Sequence, residues 1–273
     1  MSTPHVERRT VRGHHGDLSI VLQGDPRSKA VVLNHSILSS SVMWEEQAVM
    51  LAAEGWRVVR IDTTGHGESP APAGPVSMDG LAADTVAVLD ALGLERAHYV
   101  GLSLGGMSGF GLGIHHADRL LSLVLCDARA DAPPDFSAPW DDRIALATSL
   151  GSCEPLAAPT IERWFGKEFV AAQPFICQRL KSVAATTSVA GFVRCARAIQ
   201  GLDYLDALKT VTVPVTLLVG SNDGLLPAAM QDLHERIPGS VLETVLDAGH
   251  LPNIDQPALF NHALNRHLAR VQP

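Results

Sequence analysis

The chain has 273 residues, of which 46% are hydrophobic and 18% charged, and its formal net charge is −8. That length and balance suit one α/β domain with an inserted subdomain and a large core, and exclude a disordered segment. The acidic balance argues against a nucleic-acid groove, which needs a basic footprint, and no apolar run approaches the roughly 18 residues that span a bilayer.

The opening stretch 1–16 is polar and charged with no apolar signal core, so a cytoplasmic location is expected. Cys126, Cys153, Cys177 and Cys195 lack C-x-x-C or zinc-ligand spacing and are expected as reduced thiols. Apolar runs at 18–22 and 30–33 predict early strands, 42–55 a helix, and 57–62 a buried strand. Residues 78–92 place Leu81, Val86, Leu89 and Leu92 at helical spacing; a strand at 98–100, a helix at 107–116 and a strand at 121–126 follow. This alternation predicts a mostly parallel sheet covered by helices on both faces. From 128 to 205 no strand pattern occurs, and helices are predicted at 140–150, 159–165, 175–185 and 189–200. Strand patterning returns at 213–219 and 240–245, and a helix over 257–271 ends the chain. The division is therefore a core of 1–130 and 206–273 and a helical lid of 131–205, with Pro133-Pro134 as linker. The lid is expected over the carboxyl end of the sheet.

The chemistry sits where predicted strands end. Tyr99-Val100-Gly101-Leu102-Ser103-Leu104-Gly105-Gly106 feeds a strand into Gly-x-Ser-x-Gly and then a helix, the geometry that exposes a nucleophilic serine on a tight turn. Gly101 and Gly105 remove the Cβ atoms that would collide across such a turn. Gly220-Ser221-Asn222-Asp223 follows a later strand and supplies an acid, and Ala248-Gly249-His250-Leu251-Pro252 supplies a base before the last helix. Asp127, which ends the strand at 121–126, competes for the acid's place. Oxyanion donors are expected from the backbone N–H of Leu104, after the nucleophile, and of Ile37, in the loop after the strand at 30–33. His35 in that loop reads as an orienting hydrogen-bonder, and His66 in Gly65-His66-Gly67 as a turn-shaping residue. His115-His116 has no carboxylate or cysteine at ligand spacing, so no metal site is expected.

With these residues the chain resembles the α/β-hydrolase superfamily and, within it, the 3-oxoadipate enol-lactonases. The similarity also runs through Met43-Trp44-Glu45-Glu46-Gln47, Ala73-Gly74-Pro75-Val76-Ser77-Met78, Glu162-Arg163-Trp164-Phe165 and His250-Leu251-Pro252-Asn253-Ile254-Asp255-Gln256-Pro257. The resemblance implies the α/β-hydrolase fold with Ser103, Asp223 and His250 as a triad in family order, and no cofactor. Two stretches depart from the pattern. The family's Asn-Ser-Leu-Gly-Thr loop reads His35-Ser36-Ile37-Leu38-Ser39, and its Asp-Thr-Arg-Gly-His-Gly reads Asp62-Thr63-Thr64-Gly65-His66-Gly67. Leu38 thus adds bulk beside the oxyanion hole, and Thr64 stands where the family has arginine.

The expected reaction is hydrolysis of a small ester or lactone through an acyl-enzyme on Ser103. A carboxylated lactone needs a cation, for which Arg143, Arg163, Arg179 and Arg194 are candidates; Trp140 and Trp164 are candidate pocket walls. A general carboxylesterase or a carbon–carbon bond hydrolase acting on diketones shares the triad. A cofactor-free oxidoreductase or perhydrolase, or a silent ligand-binding protein, are readings from other classes. No nucleic-acid or membrane partner is expected, and the sequence leaves the oligomeric state open.

Overall fold

A computed structural model of the chain describes residues 6–271; the first five residues of the polar opening stretch lie outside it. The elements in chain order are β1 (Val6–Arg12), β2 (Asp17–Gln23), β3 (Ala30–Asn34), α1 (Glu45–Ala53), β4 (Arg57–Ile61), α2 (Met78–Ala91), β5 (Ala97–Leu102), α3 (Leu104–His115) and β6 (Leu120–Cys126). Five helices follow: α4 (Pro134–Ser137), α5 (Pro139–Leu150), α6 (Glu154–Ala172), α7 (Pro174–Thr186) and α8 (Val189–Gln200). Then come β7 (Val215–Gly220), α9 (Leu226–Arg236), β8 (Val241–Val245), α10 (Pro252–Asp255) and α11 (Pro257–Val271).

The eight strands form one sheet in the order β1-β2-β4-β3-β5-β6-β7-β8. The β1·β2 and β2·β4 pairs are antiparallel and the others parallel. Side-chain alternation along these buried strands builds a core on each face. Val31, Leu33, Val100 and Val124 pack with Leu51 of α1 and Phe260 and Leu264 of α11. Val32, Tyr99, Leu123 and Leu217 pack on the opposite face with Leu89 of α2, Phe110 of α3 and Met230 of α9.

Besides the single-turn helices α4 and α10, two elements escape the sequence patterns. β1 is a charged edge strand with only Val11 buried, so it shows no apolar alternation. α9 buries only Met230 and Leu233, too sparse a stripe for periodicity to reveal. Helix α6 is longer than its predicted span and breaks at Gly166 (φ 78°, ψ 162°), just after the predicted end at residue 165.

Helices α4–α8 stand between β6 and β7. α8 is seated on the loop after β4 by backbone contact. A Cβ on Gly65 would lie 2.3 Å from the Gly191 Cα, and the Ser188 N–H and hydroxyl both donate to the Gly65 carbonyl, at 3.2 and 3.1 Å. On the other side Arg179 of α7 pairs with Glu45 at 2.7 Å.

Candidate active site

β5 ends in a turn whose pivot is Ser103, at φ 54° and ψ −112°. A non-glycine residue in such a region costs on the order of 1–3 kcal/mol, offset by its surroundings. The surroundings are backbone. Cβ atoms on Gly101 and Gly105 would lie 2.2 Å from the Gly105 carbonyl oxygen and 2.5 Å from that of Asn34, so only glycine lets strand, turn and helix close this tightly. The Ser103 N–H donates to Cys126 O at 2.9 Å, and the Gly105 N–H to His35 O at 3.1 Å, which ties the loop after β3 to the turn. α3 begins at Leu104, whose N–H lies in the first turn, where no intrahelical acceptor exists.

The loop after β3 is held by histidine and aspartate. The His35 Nε2 accepts the Thr63 N–H at 2.9 Å, which leaves Nδ1–H to donate to Ser36 O at 2.7 Å. Complete burial pushes the His35 pKa down, so the ring is neutral, as these bonds require. Asp62 accepts the Ser41 N–H (2.7 Å), the Glu68 N–H (3.1 Å) and Arg8 (3.0 Å). Among the described residues, neither the Ile37 nor the Leu104 N–H has a protein acceptor. Leu38 is buried at φ 60°, the left-handed region that suits the glycine found there in the resembling family.

Asp223 follows β7 and His250 follows β8. The His250 Nδ1–H donates to Asp223 Oδ2 at 2.6 Å, with both side chains largely buried. Burial acts to raise the Asp223 pKa, but the charge and hydrogen bond of His250, with Arg163 nearby, hold it below the usual carboxylate range. The His250 N–H donates to Trp164 O at 2.8 Å, and the two rings stack with centroids 6.3 Å apart. In an unbroken α6 the Trp164 carbonyl would accept the N–H four residues on; the break at Gly166 turns the chain before that bond.

Ile37, Ser103, Asp223, His250, Trp140 and Arg163 all line one cavity of about 620 Å³. Other expected residues stand elsewhere. Trp164 is 1% exposed and lies against His250, not on the cavity wall. Arg143 stands over the Trp140 ring at 4.9 Å and shares a neighbouring 240 Å³ cleft with Arg163. Arg179 is engaged by Glu45, and Arg194 by the carbonyls of Pro72 and Ala73. Arg143 and Arg163 form no ion pair or hydrogen bond with a described residue. Burial and the adjacent Arg143 charge push the Arg163 pKa down to about 10. Arg163 is nonetheless an exposed residue, and it borders both the 620 Å³ cavity and the neighbouring cleft.

Sequence reasoning passed over Met107, Phe136 and Asn222, which also line the cavity. Met107 was findable, since it lies one helical turn after Ser103; Phe136 depends on how the inserted helices fold back. His115 contacts Asp79 at 3.4 Å, and among the described residues no group of three or more His, Cys, Asp or Glu is arranged to hold a metal ion. No described helix is long and apolar enough to cross a membrane.

Residues 29–257 match the family model for the alpha/beta hydrolase fold. The chain is 32% identical to 3-oxoadipate enol-lactonase 2 of Acinetobacter baylyi over 248 residues, covering 90% of this chain and 91% of that protein. Its structure is similar to the enol-lactonase from Burkholderia xenovorans (TM-score 0.87, 30% identity, 93% of this chain and 96% of the other). It is also similar to a malate-bound thermophilic esterase from Thermogutta terrifontis (TM-score 0.89, 26% identity, 98% of this chain and 100% of the other).

Proposed function

Because the chain belongs to the alpha/beta hydrolase family, we propose that it is a serine hydrolase of a small carboxylated ester or lactone, with 3-oxoadipate enol-lactone as the type of substrate. The observation that carries this reading is the 2.6 Å His250–Asp223 hydrogen bond on the same cavity as the strained Ser103 turn. His250 Nε2 takes the Ser103 proton as the hydroxyl oxygen adds to the carbonyl carbon, and Asp223 stabilises the imidazolium. The Ile37 and Leu104 N–H groups receive the oxyanion; loss of one such donor costs about 2.7–4 kcal/mol. Collapse expels the ring oxygen, which takes the proton from the His250 imidazolium to leave as an enol, and the enol tautomerises to a ketone. Water, deprotonated by His250, then releases the acid and restores Ser103.

Helices α4–α8 serve in this reading as the lid, and they carry the substrate's carboxylate partner. Arg163 faces the cavity without a protein carboxylate of its own, which a charge-assisted bond to a substrate carboxylate remedies. The malate seen in the esterase relative, a dicarboxylate, supports the same chemistry. Four free, buried cysteines suit a reducing cytoplasm.

The test is turnover of a carboxylated enol-lactone beside its methyl ester. Wild type is expected to favour the carboxylate by about 10-fold or more, mainly through KM, with Arg163→Ala erasing the preference. Ser103→Ala is expected to lower kcat/KM by about 10⁴-fold or more, and a serine-directed phosphonate to label Ser103. Equal kcat/KM on acid and methyl ester sinks the carboxylate reading; an active Ser103→Ala sinks the nucleophile.

A further inference from the structure

The acid proposed for the site has a second carboxyl beside it that the mechanism above does not use. Asp127 follows β6 directly, at φ 45°, and is wholly buried. Its N–H donates to Leu218 O at 3.0 Å, and its Oδ1 accepts the N–H of Gly220, the last residue of β7, at 2.9 Å. The carboxyl therefore clamps the ends of β6 and β7 three residues before Asp223. Its other oxygen, Oδ2, is buried and receives no hydrogen bond from any described residue, and the Asp127 and Asp223 side chains line the same cavity.

The charges around the pair are unequal to two anions. From the β8–α10 loop His250 faces Asp223, and from α6 Arg163 also acts on Asp223. Among the described residues no cation pairs with Asp127. Arg129, two residues on, is turned away to Asp131 at 2.8 Å and stands over the Phe136 ring at 5.3 Å. On β6 itself the neighbour is the Cys126 thiol, whose pKa burial pushes up. An ionised Asp127 would be a buried anion held only by one backbone N–H, with a second anion alongside.

We propose that Asp127 carries a proton, donates its O–H to the Asp223 carboxylate, and so positions the acid between two donors, itself and His250. Burial and the Asp223 charge push the Asp127 pKa far above the usual carboxylate range, the direction this arrangement needs. The two residues that compete for the triad's acid thereby divide the work: Asp223 bears the charge, and Asp127 orients it and withdraws part of its basicity. The inference rests on the reading of Asp223 and His250 given above.

Asp127→Asn separates the possibilities, because its amide keeps an acceptor for Gly220 and an N–H donor for Asp223. Asp127→Asn is expected to keep kcat/KM within about 3-fold of wild type, with the same acidic limb in the pH profile. Asp127→Ala is expected to lose about 10–100-fold in kcat with little change in KM, and its acidic limb moves to higher pH as Asp223 becomes more basic. Infrared difference spectra at neutral pH supply a readout free of turnover: wild type is expected to show the C=O stretch of a protonated carboxylic acid, lost in Asp127→Asn. Absence of that band, inactivity of Asp127→Asn, or a wild-type kcat and pH profile in Asp127→Ala each overturns the proposal. An active Ser103→Ala with the infrared band present would instead condemn the serine mechanism and leave the shared proton standing.

Discussion

Strands β5, β6 and β7 carry a buried polar cluster at each end, and the two clusters are built on opposite principles. At the amino end His98, Ser122 and Thr216 meet His267 of α11. The Arg270 guanidinium donates to Thr216 Oγ1 (2.9 Å), and the Thr216 hydroxyl donates to His267 Nδ1 (2.7 Å). His267 Nε2–H then donates to Ser122 Oγ (2.8 Å), and the Ser122 hydroxyl to His98 Nδ1 (2.7 Å). The chain of donors closes with both rings neutral, and it borders none of the five cavities described among these residues. At the carboxyl end the same strands deliver Ser103, Asp127 and Asp223 to a 620 Å³ cavity, with a carboxyl oxygen of Asp127 lacking an N–H partner. Strain divides in the same way. The non-glycine residues at positive φ among those described, Leu38, Ser103, Asp127 and Asp247, follow the carboxyl ends of β3, β5, β6 and β8. A closed polar cluster away from solvent fixes a structure; a strained one that opens onto a cavity is poised for chemistry.

The contrast breaks most visibly at Ser103. Ser103→Gly is expected to lower kcat/KM by about 10⁴-fold or more while raising stability by about 1 kcal/mol, since glycine adopts the φ 54° turn without strain. Denaturant unfolding checks the second half, and a loss of stability there means that the turn stores none. At the other end, His267→Ala leaves Ser122 and Thr216 without their buried partner. It is expected to cost about 2–3 kcal/mol of stability with kcat within about 2-fold of wild type, and a kcat collapse in a folded variant would erase the distinction between the clusters.

The smallest effect per residue is with pH. Burial, together with nearby positive charge, holds the His98 pKa down to about 4 and that of His267 to about 3. Between those values and the unfolded value near 6.5 the unfolded chain binds more protons, so stability is intact above about pH 6.5 and falls as pH drops toward 4. By pH 5 each histidine is expected to cost on the order of 1–2 kcal/mol. Unfolding midpoints at pH 7 and pH 5 measure it, and the decline should be shallower in His267→Ala. Equal midpoints mean that the rings are protonated in place at no cost.

The sequence was most legible at the strand ends that frame the cavity. Ser103 and Asp223 closely follow apolar runs and His250 follows a predicted strand, so their place at strand ends could be read without coordinates. Their neighbours could not. Asp127 and Asp223 are 96 positions apart, and only the pairing of β6 with β7 makes them adjacent. The four arginines looked equivalent until Glu45 and the carbonyls of Pro72 and Ala73 engaged Arg179 and Arg194. Trp164 looked like a pocket wall because its sequence context says nothing about the break at Gly166, which directs its carbonyl to His250. β1 was illegible for a simpler reason: an edge strand protected by charge does not alternate.

The Gly65–Gly191 contact bears on how such a chain can change over time. A side chain at either position would drive into the opposing backbone, at 2.3 Å from Gly191 Cα in one direction and 2.4 Å from Gly65 Cα in the other. The Gly65–Gly191 contact is therefore a fixed point for variation in the helices between β6 and β7. New substrates can be explored by exchanging residues along α4 to α6, which border the cavity, while α8 stays docked and the register of the whole insert is inherited unchanged.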